Sequence, residues 1–300
     1  MGTLVVLMGP TAVGKTELSI KLAKLLCCDI ISADSRQIYK DINIGTAKPT
    51  QAELSEVRHH FIDVLELEDY YSAAQYETDV LNLLEGQFKT KDYALMVGGS
   101  MMYTVAVCKG IDDIPTISND IRELMHRRLE TEGLEALQKE LKQLDPEYYE
   151  LVDIKNHKRV VHALEICCQT GQTYTSFRRN SVKERPFRIV KIGLRRERES
   201  LFQRINHRVD VMMKDGFMDE ALALYPKRNL NSLNTVGYKE LFKVIDGEWE
   251  KNMAVERIKK NTRVYAKKQM TWYAHDKDIH WLDADVMPTE QMINEIEKII

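Results

Sequence analysis

The chain has 300 residues, of which 44% are hydrophobic and 30% are charged, and its formal net charge at pH 7 is −3. This composition is typical of a globular protein and excludes binding to nucleic acid through overall charge, so any such contact needs local basic patches. No run reaches the roughly 20 apolar residues of a membrane helix, and no basic segment precedes the short apolar run at the start. The five cysteines lack metal-site spacing and are expected to be reduced and buried. We therefore expect a cytoplasmic protein, and a monomer.

The outer parts of the chain alternate between strand-like and helix-like patterns. Residues 4–8 form an apolar run, a glycine-rich turn follows, and a helical pattern passes through Leu18, Leu22 and Leu25. Further strands are predicted at residues 30–32, 61–65, 93–97, 189–194 and 279–282, and a helix at residues 73–84. Strands that alternate with helices predict a doubly wound α/β fold with a parallel sheet flanked by helices.

This alternation stops between residue 111 and about residue 183. Ser118 or Asn119 caps one predicted helix, and Gly133 precedes a second. A third helix is predicted at residues 156–170, closed by Gly171. We therefore predict an all-helical insertion domain at residues 113–183, within an α/β core formed by residues 1–112 and 184–300.

Residues 9–16 match the pattern G-x-x-x-x-G-K-[ST] between the first predicted strand and the first predicted helix. Backbone N–H groups of such a P-loop surround phosphate oxygens, Lys15 adds positive charge, and Thr16 can hold Mg²⁺. The fold is therefore predicted to be P-loop NTPase-like, although the loop alone suits a kinase, an NTPase or an enzyme that uses another pyrophosphate. The residues predicted to bind a pyrophosphate or a nucleotide are Gly9, Pro10, Thr11, Ala12, Val13, Gly14, Lys15 and Thr16.

Asp34 follows the second predicted strand, at the edge of the sheet where an open parallel sheet binds ligands. A carboxylate there can bind Mg²⁺, accept a proton or cap the following turn. The residues around Asp34 by themselves leave these three roles open.

Eight motifs occur in a fixed order, and together they resemble the tRNA dimethylallyltransferase (tRNA isopentenyltransferase) family over nearly the whole chain. They are Gly-Pro-Thr-Ala-Val-Gly-Lys-Thr (9–16), Ser-Ala-Asp-Ser-Arg-Gln-Ile-Tyr (32–39), Asn-Ile-Gly-Thr-Ala-Lys-Pro (43–49), Tyr-Ser-Ala-Ala (71–74), Val-Gly-Gly-Ser-Met-Met-Tyr (97–103), Arg-Val-Val-His-Ala-Leu-Glu (159–165), Val-Gly-Tyr-Lys-Glu (236–240) and Tyr-Ala-Lys-Lys-Gln-Met-Thr-Trp (265–272).

The resemblance implies a prenyltransferase that moves a dimethylallyl group from dimethylallyl pyrophosphate to the N6 amine of the tRNA adenosine on the 3′ side of the anticodon. It implies that Asp34 takes a proton from this amine, and that Thr16, with Mg²⁺, and Arg208 stabilise the departing pyrophosphate. The residues assigned to tRNA contacts are Asp34, Ser35, Arg36, Gln37, Ser100, Arg122, Lys158, Arg159 and His162. Ser100 stands where the family often has threonine, and His162 where it often has arginine.

Basic residues are concentrated in two places. One group lies in the insertion and where the chain returns to the core. These residues suit contacts with an RNA backbone, or they form an ordinary solvated surface. They are Arg122, Lys155, Lys158, Arg159, His162, Arg178, Arg179, Lys183, Arg185 and Arg188. A late helix carries a second group, which suits either a lid over pyrophosphate or a strip for RNA phosphates: Lys260, Arg263, Lys267 and Lys268. Trp272, Tyr273 and Trp281 are expected in the core.

Three other activities remain open from the residues alone. A small-molecule kinase would use Asp34 to activate a hydroxyl, but leaves the basic insertion without a role. An enzyme that prenylates free adenine nucleotides would not need the insertion to grip RNA. A nucleotide-binding switch is disfavoured because the sequence has no N-K-x-D motif for guanine.

Overall fold

The computed structural model describes residues 1–179 and 182–300. Within them the chain divides into two compact units, a core unit of Met1–Cys108 with Arg185–Ile300 and an inserted unit of Lys109–Glu184. The sequence analysis placed these boundaries after residues 112 and 183. Asn180 and Ser181, which belong to the predicted insertion, lie outside the described residues.

The core unit is built on a parallel sheet. Its strands, in chain order, are β1 (Thr3–Met8), β2 (Ile30–Ala33), β3 (His59–His60), β4 (Tyr93–Gly98), β5 (Arg188–Arg195) and β6 (Ile279–Asp283). Over the described residues they form one six-stranded sheet in the order β3-β2-β4-β1-β5-β6, and every neighbouring pair is parallel. The carboxyl ends of β1, β2 and β4 therefore lie side by side at one edge.

Helices fill the rest of both units. Those before and within the inserted unit are α1 (Lys15–Leu25), α2 (Gln51–Glu56), α3 (Ala73–Gln87), α4 (Met101–Lys109), α5 (Asn119–Glu132), α6 (Leu134–Leu144), α7 (Pro146–Leu151), α8 (His157–Thr170) and α9 (Tyr174–Phe177). Those after it are α10 (Arg198–Lys214), α11 (Phe217–Leu224), α12 (Tyr238–Ile245), α13 (Lys251–Tyr273) and α14 (Thr289–Ile299), with short 3₁₀ helices at Tyr225–Lys227 and Asn231–Leu233.

The contacts of strand β1 show that helices cover both faces of the sheet. Val5 and Leu7 belong to a hydrophobic cluster with residues of α1, α10 and α14, whereas Leu4 and Val6 belong to a second cluster with residues of α3 and α4. Successive side chains of a strand point to opposite faces, so a strand between two helical layers is a nearly continuous apolar run, as residues 4–8 are. The predicted α/β fold with a parallel sheet is confirmed.

The prediction of a third strand at residues 61–65 is wrong. The strand that pairs with β2 is His59–His60, just before it. Phe61 has a φ of 62° and Asp63 a φ of 54°. These angles belong to the left-handed region, which an extended strand cannot contain. Apolar residues had suggested a strand, but the backbone turns there instead.

The inserted unit has its own apolar core, formed by residues such as Leu137, Leu141, Val160 and Leu164. The three predicted helices of this unit are confirmed as α5, α6 and α8. The Ser118 side chain accepts a hydrogen bond from a backbone N–H of the first turn of α5, as an N-cap residue does. The short helices α7 and α9 were not predicted.

Two expectations about burial need correction. The five cysteines are free and three are buried, but Cys27 and Cys168 are exposed. Trp272, expected in the core, is 45% exposed, whereas Tyr273 is 3% exposed. Neighbouring helix residues point about 100° apart, so only one of these two aromatic side chains can face inward. Among the described residues, no helix has the length and apolar character needed to cross a membrane.

Candidate active site

The phosphate loop connects β1 to α1 at the carboxyl edge of the sheet. Its backbone turns sharply, with a φ of 63° at Ala12 and 113° at Gly14. A Cβ atom added to Gly9 would lie 2.6 Å from the carbonyl oxygen of Leu194, so β5 leaves no room for a side chain there. The loop thus directs backbone N–H groups and the N-terminus of α1 toward one place, which favours an anion.

Side chains from distant parts of the core unit hold this loop. Gln269 Oε1 accepts a hydrogen bond from the Thr11 N–H at 3.0 Å. Arg204 and Arg196 each donate from Nε, at 2.9 Å, to the carbonyls of the next two loop residues. Lys15 Nζ donates to the first two carbonyls of the loop, both at 2.9 Å. The loop is therefore fixed by its surroundings as well as by its own sequence.

Positive charge is concentrated beside the loop. Burial and the neighbouring Arg208 guanidinium lower the pKa of Lys15 to about 7, although the Asp34 carboxylate raises it. Burial also lowers the pKa of Arg208, against the attraction of Asp34. Arg208 donates to the Thr11 hydroxyl at 3.3 Å. Two partly desolvated cations next to an anion-binding loop indicate a site for a multiply charged anion.

Asp34 follows β2 at the same edge. Its Oδ1 accepts the backbone N–H groups of Arg36 at 2.8 Å and Gln37 at 3.2 Å. Oδ2 makes no hydrogen bond within the described residues. The carboxylate is therefore both a cap for its own turn and an oriented acceptor with one oxygen left for a ligand. Of the three roles considered from the sequence, the structure shows the turn cap, and the second oxygen leaves the roles of proton acceptor and Mg²⁺ ligand open.

Two cavities share a wall at this point. The first, of about 500 Å³, is lined by residues 11–16 of the loop, by Gln37, and by Arg204 and His207 of α10. The second, of about 520 Å³, is lined largely by residues of α10, α12 and α13 and by the segment between α11 and α12. The residues that line both cavities are Thr11, Asp34, Thr46, Arg208 and Tyr265. Asp34 and Arg208 thus stand between a phosphate-binding cavity and a second chamber.

A carboxylate outside the cavities shapes their shared wall. Glu220 of α11 accepts the backbone N–H groups of residues 43–45 at 2.8–2.9 Å. Its Oε1 also accepts the Tyr238 hydroxyl at 2.6 Å. The same loop provides the carbonyls of Thr46 and Ala47, to which Gln37 Nε2 donates at 3.1 Å. Glu220 therefore fixes the loop that orients Gln37.

The remaining predicted site residues of the core unit lie near Asp34. Ser35, Arg36 and Ser100 line the second cavity. Arg36 Nη1 is already engaged, since it donates to the carbonyls of Asn231 and Ser232 at 2.8 and 3.1 Å. Gly9 and Pro10 do not line the first cavity, and their carbonyls receive the Lys15 ammonium instead.

The predicted residues of the inserted unit belong to its helices α5 and α8. Lys158 and Arg159 are exposed in the first turn of α8, with no ion pair in the part of the chain that the structure describes. His162 is half-buried, 3.3 Å from a Glu165 oxygen and edge-on to Tyr174. Arg122 is half-buried in α5. Lys158 and Arg159 are therefore the more accessible of these candidates.

Several basic residues near the return to the core are structural. Arg185 forms a buried ion pair with Glu77 at 2.7 Å, with side chains 7% and 6% exposed. Arg188 donates to the carbonyls of the last two residues of the chain, at 2.8 and 2.6 Å. Arg178 lies over the Tyr148 ring, 5.2 Å from its centroid. The hypothesis of an RNA contact is wrong for Arg185, since its buried guanidinium has no access to a nucleic acid.

Comparisons with known proteins identify the family. The family model for IPP transferases matches residues 37–276. A tRNA dimethylallyltransferase of Phocaeicola vulgatus is 60% identical over 283 residues, which cover 94% of each chain. The chain belongs to the IPP transferase family. The resemblance drawn from the eight sequence motifs is confirmed.

Solved structures of this family share the fold along the whole chain. The full-length tRNA isopentenylpyrophosphate transferase of Bacillus halodurans is 35% identical, with 99% of this chain and 95% of that chain covered and a TM-score of 0.72. A eukaryotic dimethylallyltransferase, solved as it acts on tRNA, is 25% identical, with coverages of 99% and 80% and a TM-score of 0.81. The predicted P-loop NTPase-like fold is confirmed.

Three residues that shape the site in this family member were not predicted from the sequence. Gln269 lies within a motif quoted for the resemblance, but no local pattern says that it reaches the phosphate loop. Arg196 follows β5 at the ligand edge of the sheet, so its position carried a usable signal. Glu220 lies on an amphipathic helix, and nothing in the sequence around it indicated a role at the site.

Proposed function

We propose that this chain transfers the dimethylallyl group of dimethylallyl pyrophosphate to the exocyclic N6 amine of the tRNA adenosine on the 3′ side of the anticodon. The observation that carries the proposal is the position of Asp34 on the wall shared by the two cavities. One cavity has the cations and N–H groups that a pyrophosphate needs. The other has room for a base taken out of an RNA loop, so donor and acceptor meet at the carboxylate.

The reaction replaces one bond of the donor. The bond between the allylic carbon and the pyrophosphate oxygen breaks, a bond to N6 forms, and the N6 proton passes to Asp34 Oδ2. An adenine amine is a poor nucleophile because its lone pair is delocalised into the ring. General-base help from an oriented carboxylate contributes about 10²–10⁴-fold to such a step. The two backbone N–H groups on Oδ1 keep the carboxylate in position throughout.

The phosphate loop and its neighbouring cations stabilise the negative charge of the leaving pyrophosphate. Lys15 and Arg208 lie where this charge develops, and the low polarity around them strengthens their attraction for it. Lys15 and Arg208 can stabilise this charge only when they are protonated. The bound anion favours this state, because a nearby negative charge raises the pKa of Lys15. Because an allylic cation reacts with water, the walls of the paired cavities must also exclude solvent.

Mg²⁺ fits the side chains at this site. Thr16 lines the first cavity, and its hydroxyl makes no hydrogen bond within the described residues. Mg²⁺ prefers oxygen ligands, and a threonine hydroxyl completed by phosphate oxygens and water provides them. Thr16 would hold the ion directly. A bound Mg²⁺ would neutralise charge on the pyrophosphate.

We assign tRNA binding to the inserted unit, through the exposed Lys158 and Arg159 and with contributions from His162, also on α8, and from Arg122 on α5. The named activities of the relatives and the basic first turn of α8 support this assignment. A tRNA substrate supports the expected cytoplasmic location of the reaction.

A transfer assay tests the proposed function. The protein is incubated with Mg²⁺ and dimethylallyl pyrophosphate labelled in the dimethylallyl group, together with unmodified tRNA, AMP or neither. We expect the label in tRNA, on N6 of the adenosine beside the anticodon, with one pyrophosphate released for each group transferred. Label on AMP alone would establish the free-nucleotide activity instead. Absence of transfer, together with phosphorylation of a small molecule from ATP, would establish a kinase.

A further inference from the structure

The loop of residues 43–49 forms part of the wall of both cavities. Gly45 and Thr46 line the second cavity, and Thr46, Ala47 and Pro49 line the first. These residues belong to no helix or strand, so their backbone groups lack the partners that regular secondary structure provides. The conformation of the loop, and with it the shape of both cavities, therefore depends on contacts from elsewhere in the core unit.

Glu220 of α11 provides several of these contacts with one carboxylate. Its Oε2 accepts the N–H groups of Asn43 and Ile44 at 2.9 and 2.8 Å, and its Oε1 accepts that of Gly45 at 2.9 Å. Oε1 also accepts the Tyr238 hydroxyl at 2.6 Å. Hydrogen bonds to a carboxylate are about twice as strong as those between neutral groups. Four donors on two oxygens therefore hold the side chain and the loop together.

The loop also packs closely against α11 and α12. A Cβ atom added to Gly45 would overlap the rings of Phe217 and Tyr238. Phe217 is the first residue of α11, Tyr238 is the first residue of α12, and both are fully buried. Because protein interiors are close-packed, the loop cannot move into the space that these rings occupy. It therefore has one defined position against the two helices, in which the Glu220 carboxylate meets its N–H groups.

Gln37 connects this loop to the proposed base. Gln37 Nε2 donates to the carbonyls of Thr46 and Ala47, both at 3.1 Å. The backbone N–H of Gln37 donates to Asp34 Oδ1 at 3.2 Å. Gln37 also lines the first cavity. A path of hydrogen bonds and backbone therefore runs from Glu220, through the loop and Gln37, to the carboxylate of Asp34.

We propose that Glu220 is a positioning residue for the transfer step, and that by holding residues 43–45 it keeps Gln37 and Asp34 in the geometry that the reaction needs. This inference rests on the proposed function. Glu220 lines neither cavity, so it acts on the reaction through the loop and not through contact with a substrate. The donor phosphates belong to the phosphate loop, to which Glu220 makes no hydrogen bond within the described residues. Glu220 should therefore control the rate of transfer more than the binding of the donor.

Two substitutions of Glu220 and one control test this role. Glu220→Ala removes both acceptor oxygens, whereas Glu220→Gln keeps one of them. Glu77→Gln is the matched control, because it makes the same chemical change at a buried carboxylate of the core unit that lines neither cavity and pairs with Arg185. The measurements are the single-turnover rate of transfer at saturating substrates, the KM for each substrate, thermal unfolding, and amide hydrogen exchange at residues 43–45.

The two Glu220 variants should lose activity in proportion to the acceptors removed. We expect the single-turnover rate to fall at least about tenfold in Glu220→Gln and about 10²-fold in Glu220→Ala, since a displacement of about 1 Å at a reacting group has effects of this size. The KM for dimethylallyl pyrophosphate should stay close to that of the parent. Amide exchange at residues 43–45 should become faster in both variants.

The control separates positioning from stability. Glu77→Gln should also lower the unfolding temperature, because it weakens a buried ion pair. Well below that temperature it should keep the transfer rate of the parent and the amide exchange of residues 43–45. A purely structural role for Glu220 would give its two variants the same pattern as this control.

Other outcomes would overturn the inference. A parent-like transfer rate in Glu220→Ala would mean that Glu220 contributes to stability alone. A raised donor KM at an unchanged single-turnover rate would mean that the loop acts on donor binding. Unchanged amide exchange at residues 43–45 would mean that Glu220 does not hold the loop. A failure of the proposed function is distinguishable, because the parent itself would then transfer no dimethylallyl group to tRNA while amide exchange at residues 43–45 still responded to Glu220→Ala.

Discussion

The side-chain oxygen of Gln269 accepts a hydrogen bond from the backbone N–H of Thr11 at 3.0 Å, across 258 positions of sequence. The amide nitrogen of the same side chain donates to the Gly99 carbonyl at 2.8 Å. Gln269 is 1% exposed, and its bond to Gly99 is buried, so water cannot replace Gln269 as the partner of that carbonyl. One amide of α13 therefore couples the phosphate loop to the end of β4.

This coupling predicts that Gln269→Leu weakens both stability and donor binding. Leucine leaves the half-buried Thr11 N–H and the buried Gly99 carbonyl without this partner, and an unsatisfied buried group costs about 1–3 kcal/mol. We expect the free energy of unfolding in urea to fall by about 2–4 kcal/mol, and the KM for dimethylallyl pyrophosphate to rise more than the KM for tRNA. If the variant is destabilised but its KM for dimethylallyl pyrophosphate is unchanged, Gln269 has only a structural role.

Asp34→Asn should separate the role of the carboxylate as a base from its role as a turn cap. Asparagine can still accept the N–H groups of Arg36 and Gln37, but it has no useful basicity. We expect kcat to fall at least about 10²-fold while the affinities for donor and tRNA change little. Asp34→Ala should reduce kcat similarly. Near-normal single-turnover transfer by the asparagine variant would mean that Asp34 only caps its turn.

Thr16→Ala tests whether this hydroxyl holds Mg²⁺. Its loss should raise the Mg²⁺ concentration needed for half-maximal transfer and lower kcat, because an oxygen ligand is removed while the loop backbone stays intact. Thr16→Ser keeps the hydroxyl and should behave like the parent. If all three proteins respond equally to Mg²⁺, Thr16 is not a metal ligand.

Arg185 and Glu77 give a prediction about stability that is independent of the reaction. Arg185→Met leaves Glu77 buried without this partner and should lower the free energy of unfolding by about 3–5 kcal/mol. The exposed pair of Lys40 and Glu66 is the control, and Lys40→Met should lower the free energy of unfolding far less, because water screens an exposed ion pair. Similar losses in urea denaturation would contradict the burial of the Arg185 pair.

The sequence predicted what is local and missed what depends on distant contacts. The phosphate loop and the Asp34 turn are specified by neighbouring residues, so their form follows from motif and spacing. The bond between Gln269 and Thr11 depends on how α13 packs in the folded core, which no local pattern encodes. Likewise, Arg185 looked like other basic residues until its burial with Glu77 was known. Residues 61–65 were misassigned because apolar content does not reveal a positive φ.

The last prediction concerns the inserted unit and separates tRNA modification from a kinase. Charge reversal at Lys158 and Arg159, which are exposed in the first turn of α8, should weaken tRNA binding and lower the magnitude of its log–log salt slope by about 1.4–1.8, or about 0.7–0.9 for each lost phosphate contact. Affinity for dimethylallyl pyrophosphate should not change, because that ligand binds the phosphate loop of the core unit. Reversal of Lys139 and Lys142, which are exposed on α6, is the matched control and should leave the slope close to that of the parent. If both double variants keep the affinity and slope of the parent, α8 does not hold RNA, and the kinase and free-nucleotide activities gain support.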